Sequence, residues 1–87
     1  MTEGASWWVY IVKCADGTLY TGTARNVAQR IKTHNQGRGA KYTRMRLPVT
    51  LLYSEYQPDR SLACQREAVI KKLSRQEKIE LAEQFQP

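Results

Sequence analysis

Apolar side chains run without a break from Trp7 to Val12 in the segment WWVYIVKC, filling both alternating faces. That pattern predicts a strand from Trp7 to Cys14 covered on both sides. Ala15-Asp16-Gly17 comes next, and Asp-Gly tolerates the positive φ angles of a tight turn, so it predicts a hairpin. TLYTGT, Thr18 to Thr23, then supplies β-branched and aromatic residues for a strand antiparallel to the first. Gly22 inside it marks a place where backbone or ligand approaches closely. Asn26 reads as an N-cap, with Val27, Ile31 and His34 sharing one helical face up to about Asn35. Gly37 and Gly39 end that helix, and GRGAKYTRMRLP is basic and irregular through Pro48. VTLLYSEY, Val49 to Tyr56, predicts a third strand. Asp59 or Ser61 caps a second helix carrying Leu62, Val69, Ile70 and Leu73 on one side. Ser74 with Glu77 is a capping-box pattern that opens a short third helix through Ile79 and Leu81. The order β-β-α-β-α-α contains no repeat, linker or low-complexity segment. It predicts a compact α+β domain in which a small sheet carries helices.

Length and composition narrow this picture. At 87 residues the chain is expected to be one domain, 1–87, with a small core. Its 41% hydrophobic content is that of a globular chain. No apolar run approaches the roughly 20 residues that span a bilayer, and MTEGASWW lacks the basic start and apolar stretch of a signal peptide. Cys14 and Cys64 show neither CxxC spacing nor a His-rich partner segment. They read as two half-buried thiols of a cytoplasmic protein, not as a disulfide or a zinc site.

Charge is distributed unevenly. Residues 1–50 hold eight basic side chains against two acidic ones, Glu3 and Asp16, while residues 51–87 hold six of each. The first half therefore faces a polyanion, nucleic acid before membrane. Arg38, Lys41, Arg44 and Arg46 place four cations within nine residues with no acid between them. Tyr42 lies among them, placed either to stack on a base or to pack under the loop. Such a cluster suits tracking along a nucleic-acid backbone without specifying sequence.

The chain has one histidine, no Gly-rich phosphate loop, no GxSxG and no HExxH, so the familiar triads and His-based metal sites are missing. Tyrosines, arginines, lysines and a few carboxylates remain. An enzyme of such parts acts most naturally on a phosphate ester. Arginine stabilises charge on phosphate oxygens, a carboxylate holds a divalent metal, and a Tyr- or Lys-assisted water attacks. Tyr10 and Tyr20 sit on the two strands of the predicted hairpin, where antiparallel pairing brings them near one another.

Trp8-Val9-Tyr10 and Tyr20-Thr21-Gly22 resemble the two halves of the signature of the GIY-YIG nucleases, with both tyrosines and the final glycine in place. Arg30 stands where that family carries its helical arginine, and His34 follows one turn later. Gly37-Arg38-Gly39-Ala40-Lys41-Tyr42-Thr43 matches the family's basic segment, and Glu67, in RSLACQREAVIKKLS, stands at its metal-binding glutamate. The likeness covers about residues 7–80 and is greatest to small standalone bacterial members. It implies a central antiparallel three-stranded sheet flanked by helices, and an endonuclease that hydrolyses DNA phosphodiesters, including branched or damaged DNA, with one divalent metal, Mg²⁺ or Mn²⁺.

By the same resemblance Glu67 is the metal ligand, Arg30 holds the scissile phosphate, and Tyr10 or Tyr20 helps deprotonate the attacking water. An unperturbed phenol has a pKa of about 10, and a nearby metal or cation such as Arg25 or Lys41 is expected to lower it. His34 either touches phosphate or aids proton transfer, or is a half-buried structural residue. Arg25, Arg38, Lys41, Tyr42, Arg44, Arg46 and the close-approach Gly22 are the expected nucleic-acid contacts. A plain competitor for Glu67 is a surface pair with Lys71, one turn on. Arg66, nearer the middle of the apolar stripe, buries its stem or pairs with a neighbour. Many family members carry an asparagine well after the glutamate, and no Asn lies between Glu67 and Pro87. A weak or inactive nucleic-acid-binding module of the same fold is therefore the alternative. So few residues remain for base readout that specificity calls for a structured substrate or a protein partner.

Overall fold

A computed structural model of the chain describes residues 6–85, with the Phe85 side chain left aside. Glu3, counted in the charge split, and most of the N-terminal segment read for a leader lie outside the described residues. The elements are β1 (Trp7–Lys13), β2 (Leu19–Ala24), α1 (Val27–Asn35), α2 (Lys41–Arg44), β3 (Thr50–Gln57), α3 (Arg60–Lys71) and α4 (Arg75–Phe85). The three strands form one antiparallel sheet in the order β2-β1-β3. A compact α+β fold with helices flanking a three-stranded sheet is what the sequence led one to expect.

The unbroken apolar run of β1 is explained by its central place. Val9 and Ile11 enter one core with Tyr53, Ala63, Ile70 and Ala82, under α3 and α4. Tyr10, Val12 and Cys14 enter a second core on the opposite face with Ala24 and Val49, and Val27 and Ile31 of α1 close over it. A strand sandwiched in this way has no solvent face to supply.

Local signals fix the connections. Gly17 adopts φ 86°, which only glycine takes without strain, and the turn closes through Gly17 N–H to Cys14 O at 2.9 Å. Asn26 Oδ1 accepts from Gln29 N–H at 2.9 Å and Asp59 Oδ1 from Leu62 N–H at 2.9 Å, so both helices start at side-chain caps. Ser74 and Glu77 form the reciprocal box, at 3.1 and 2.8 Å. Helix α1 ends with Gly37 N–H on His34 O and Arg38 N–H on Thr33 O, at 2.9 and 3.1 Å. With Gly37 at φ 79° this is a Schellman ending.

Three expectations are corrected. The basic segment is not wholly irregular, since Lys41–Arg44 forms the short helix α2. The buried line of α3 runs through Ala63 and Ile70, while Leu62 and Val69 are exposed. A helix turned by one residue lets small Ala63 meet the sheet, and this brings Arg66 and Glu67 to its inner flanks. The thiols also differ from the expected half-buried pair, Cys14 being buried and Cys64 exposed.

Candidate active site

Tyr10 is paired across the sheet with Gly22 of the edge strand β2. A Cβ at Gly22 would lie 2.6 Å from the Tyr10 hydroxyl, so the missing side chain is what lets the phenol extend over β2. There the hydroxyl meets the α1 residue His34, 2.8 Å from Nε2. His34 Nδ1 lies 2.8 Å from Thr43 Oγ1, and that hydroxyl donates its only proton to Ala40 O at 2.9 Å. Thr43 must then accept from Nδ1–H, which leaves Nε2 bare to accept from Tyr10. The line Tyr10–His34–Thr43–Ala40 is a hydrogen-bond chain with a defined direction.

His34 is fully buried, not half-buried as expected, and Tyr10 and Thr43 are buried with it. Burial, helped by the charge of Arg30, holds the His34 pKa below its ordinary 6.5, so the ring is neutral at pH 7. Burial also raises the Tyr10 phenol above 10, outweighing the downward pull of Arg30, which lies within hydrogen-bonding reach of it. A cation does pull this phenol down as expected, but it is Arg30 and not Arg25 or Lys41, and desolvation of the phenolate is the larger effect. The carboxylate of Glu67 is near enough to push it the same way. Arg30 from α1 and Glu67 from α3 therefore act on one hydroxyl.

Tyr20 packs edge-on against His34 with ring centroids 5.6 Å apart, and stacks on Tyr42 at 5.9 Å. The Arg46 guanidinium lies 4.0 Å over the Tyr42 ring, donates to Tyr42 O at 2.7 Å and pairs with Asp16 at 3.1 Å. Arg46 is thereby tied to the hairpin turn, while Tyr42 remains 40% exposed with its ring against Tyr20 and Arg46. Arg38, Lys41 and Arg44 are exposed, and Arg25 stands at the mouth of α1.

Glu67 is mostly shielded and its Oε2 lies 3.2 Å from the exposed Lys71 Nζ. Among the described residues no three His, Cys, Asp or Glu side chains gather to hold a metal. A lone hard carboxylate suits Mg²⁺, which binds through one or two carboxylates and keeps water or substrate phosphate as its other ligands. Arg66 instead pairs with Glu55 at 2.8 Å.

Thr43 and Gly39 were named from sequence only within the basic segment Gly37–Thr43 and as a helix end, with no site role. Thr43 is nine residues beyond His34 in a segment without periodicity, so nothing signalled its burial. Gly39 packs so closely on the His34 ring and backbone that a Cβ there would collide with both. The available cues were a second glycine two residues after a helix-ending one and the likeness of Gly37–Thr43 to the family's basic segment.

Comparison with known proteins bears on the family and the fold. A family model described as the GIY-YIG catalytic domain matches residues 6–80. A UPF0213 protein of Staphylococcus haemolyticus is 52% identical over 80 residues, covering 92% of this chain and 98% of its own. One from Desulfotalea psychrophila is 57% identical over 74 residues, covering 84% and 67%. The solution NMR structure of a UPF0213 protein from Bacillus halodurans superposes with TM-score 0.59 at 41% identity, covering 92% of this chain and 85% of that one. The solution NMR structure of an E. faecalis protein gives TM-score 0.63 at 37% identity, covering 98% and 91%. With the family model spanning nearly all of the described chain, this protein belongs to the GIY-YIG nuclease family.

Proposed function

We propose that the chain is a metal-dependent endonuclease that hydrolyses DNA phosphodiesters, with Tyr10 as the proton acceptor at the attacking water. The observation that carries this reading is the directed hydrogen-bond chain from Tyr10 through His34 to Thr43, with Arg30 beside it. A phenol with a raised pKa is a poor base alone. Here it receives the water's proton as it passes its own to His34 Nε2, so no free phenolate forms. The hydroxide oxygen bonds to phosphorus and the bond to the leaving oxygen breaks, that oxygen taking a proton from solvent. Imidazolium formed at His34 keeps its Nδ1–H on Thr43. Arg30 meets the charge that develops on the phosphate oxygens. Glu67 would hold a divalent cation, Mg²⁺ or Mn²⁺, which when bound supplies further charge neutralisation at the phosphate. Tyr20 braces the His34 ring. Arg25, Arg38, Lys41 and Arg44 are assigned to the strand's phosphates.

The purified chain with Mg²⁺ or Mn²⁺ is expected to cut at least one of single-stranded, duplex or branched DNA. Glu67→Ala and Arg30→Ala should abolish cutting while circular dichroism and thermal midpoint stay near wild type. Salt-sensitive binding to the whole panel with no cutting would instead favour the inactive binding module.

A further inference from the structure

On the Tyr10 face of the sheet, between α1 and strands β1 and β3, lies an open groove of about 620 Å³. Its walls are Trp8, Leu51, Ser54 and Val27, with Arg25 and Asn26 where α1 begins. The Trp8 indole is braced edge-on by Tyr56, centroids 5.7 Å apart, and Leu51 is 48% exposed. Among the described residues, none that lines the groove is acidic. The groove is separate from the Tyr10–His34 hydrogen-bond chain and has no part in the hydrolysis described above.

We propose that this groove takes an unstacked nucleobase of the bound strand, while Arg25 meets the adjoining phosphate. The proposal rests on the nuclease reading and gives that site a preference for unpaired nucleotides. Its walls combine what a base needs: an indole and aliphatic side chains for the flat faces, and the Ser54 hydroxyl and Asn26 amide for the edge. A volume of this order accommodates a base with its sugar. Charge selects the same occupant. A groove whose described lining holds an arginine at its rim and no acid suits a phosphodiester strand, whereas a second copy of this chain brings its own net charge of +6. Arg25 also lies close in the chain to Arg30, two residues before the first residue of α1, with Arg30 in that helix's first turn.

The test uses the full chain carrying Glu67→Ala, so that nothing is cut, and three dye-labelled probes: an oligothymidylate, an abasic oligonucleotide of equal length, and a fully paired duplex. Oligothymidylate is expected to bind about tenfold more tightly than the abasic strand. Leu51→Trp, which fills the groove without changing charge, should bring it down to the abasic level. In a Trp7→Phe background, where Trp8 is the only tryptophan, oligothymidylate should quench emission and the abasic strand should not. The affinity comparison does not need that background to fold. Equal affinities for thymidylate and abasic strands would overturn the base site and leave the nuclease reading standing. Binding of no probe would overturn both. A concentration-dependent dimer that shields Trp8 without DNA would also overturn the base site, making the groove a self-interface.

Discussion

Thr43 has one hydroxyl proton, and Ala40 O takes it at 2.9 Å. That small fact sets the His34 tautomer, and with it the direction in which a proton leaves Tyr10. Thr43→Val keeps the shape and removes the acceptor, leaving Nδ1–H buried without a partner. It should cost about 1–3 kcal/mol of stability and slow cleavage, whereas Thr43→Ser should restore both; denaturant melts and single-turnover rates check this. Tyr10→Phe should cost roughly 10²–10⁴ in rate. The pH dependence follows from the lowered His34 pKa. The unfolded chain takes a proton near 6.5 and the folded chain only at lower pH, so stability falls as pH drops through that interval. The rate should fall over the same range, because protonated His34 cannot accept from Tyr10. A rate that rises below pH 6.5 would sink this proton path. In sequence, Tyr10, Tyr20, Arg30 and His34 were singled out through the resemblance to the family's motifs, periodicity adding only the strands and helix that carry them. Thr43 and Gly39 were given no site role, since theirs depend on how an aperiodic loop folds back onto His34.

At the scale of elements, caps and turns were readable because their chemistry is local. Asn26, Gly17, Gly37 and the Ser74–Glu77 box act on residues within five positions. Asp59→Ala should therefore cost about 1 kcal/mol through the start of α3. The buried line of α3 was misread because Leu62 and Val69 outrank Ala63 in hydrophobicity, while close approach to the sheet favours the smaller residue. Its rotation is held in part by Arg66, paired at 2.8 Å with a Glu55 side chain only 16% exposed. Arg66→Ala should cost about 1–2 kcal/mol, less than for a fully buried pair because the arginine keeps much of its solvent. Burial raises the Glu55 pKa, but hydrogen bonds from Arg66, Tyr53 and Gln57 outweigh it and hold the carboxyl below 4.5. The stability from this cluster is present above pH 4.5 and is lost as pH falls through the lowered value. A thermal-midpoint series from pH 6 to 3 should show that loss in wild type and a shallower one in Arg66→Ala.

Across the whole molecule, the charge surplus of the first half divides by task. Arg46 is occupied in joining the loop to the hairpin turn, while Arg38, Lys41 and Arg44 stand exposed on the same stretch. Composition showed the surplus but not this division, because an ion pair between Asp16 and Arg46 spans thirty positions. Neutralising Arg38, Lys41 and Arg44 together should reduce the slope of log binding constant against log salt by about 2–3. The helix bearing Glu67 belongs to the electrically balanced half, packs beneath β1 and β2, and brings its carboxylate within electrostatic reach of the Tyr10 hydroxyl. On the proposed function, the sheet joins a half assigned to the phosphates to a half assigned to the metal. The most direct measurement is cleavage of a labelled panel of single-stranded, duplex and branched DNA by wild type and Glu67→Ala, with Mg²⁺ and with a chelator. The account predicts products from wild type with metal alone, and none from Glu67→Ala or after chelation. Equal cutting by both proteins, or cutting that survives the chelator, would contradict it.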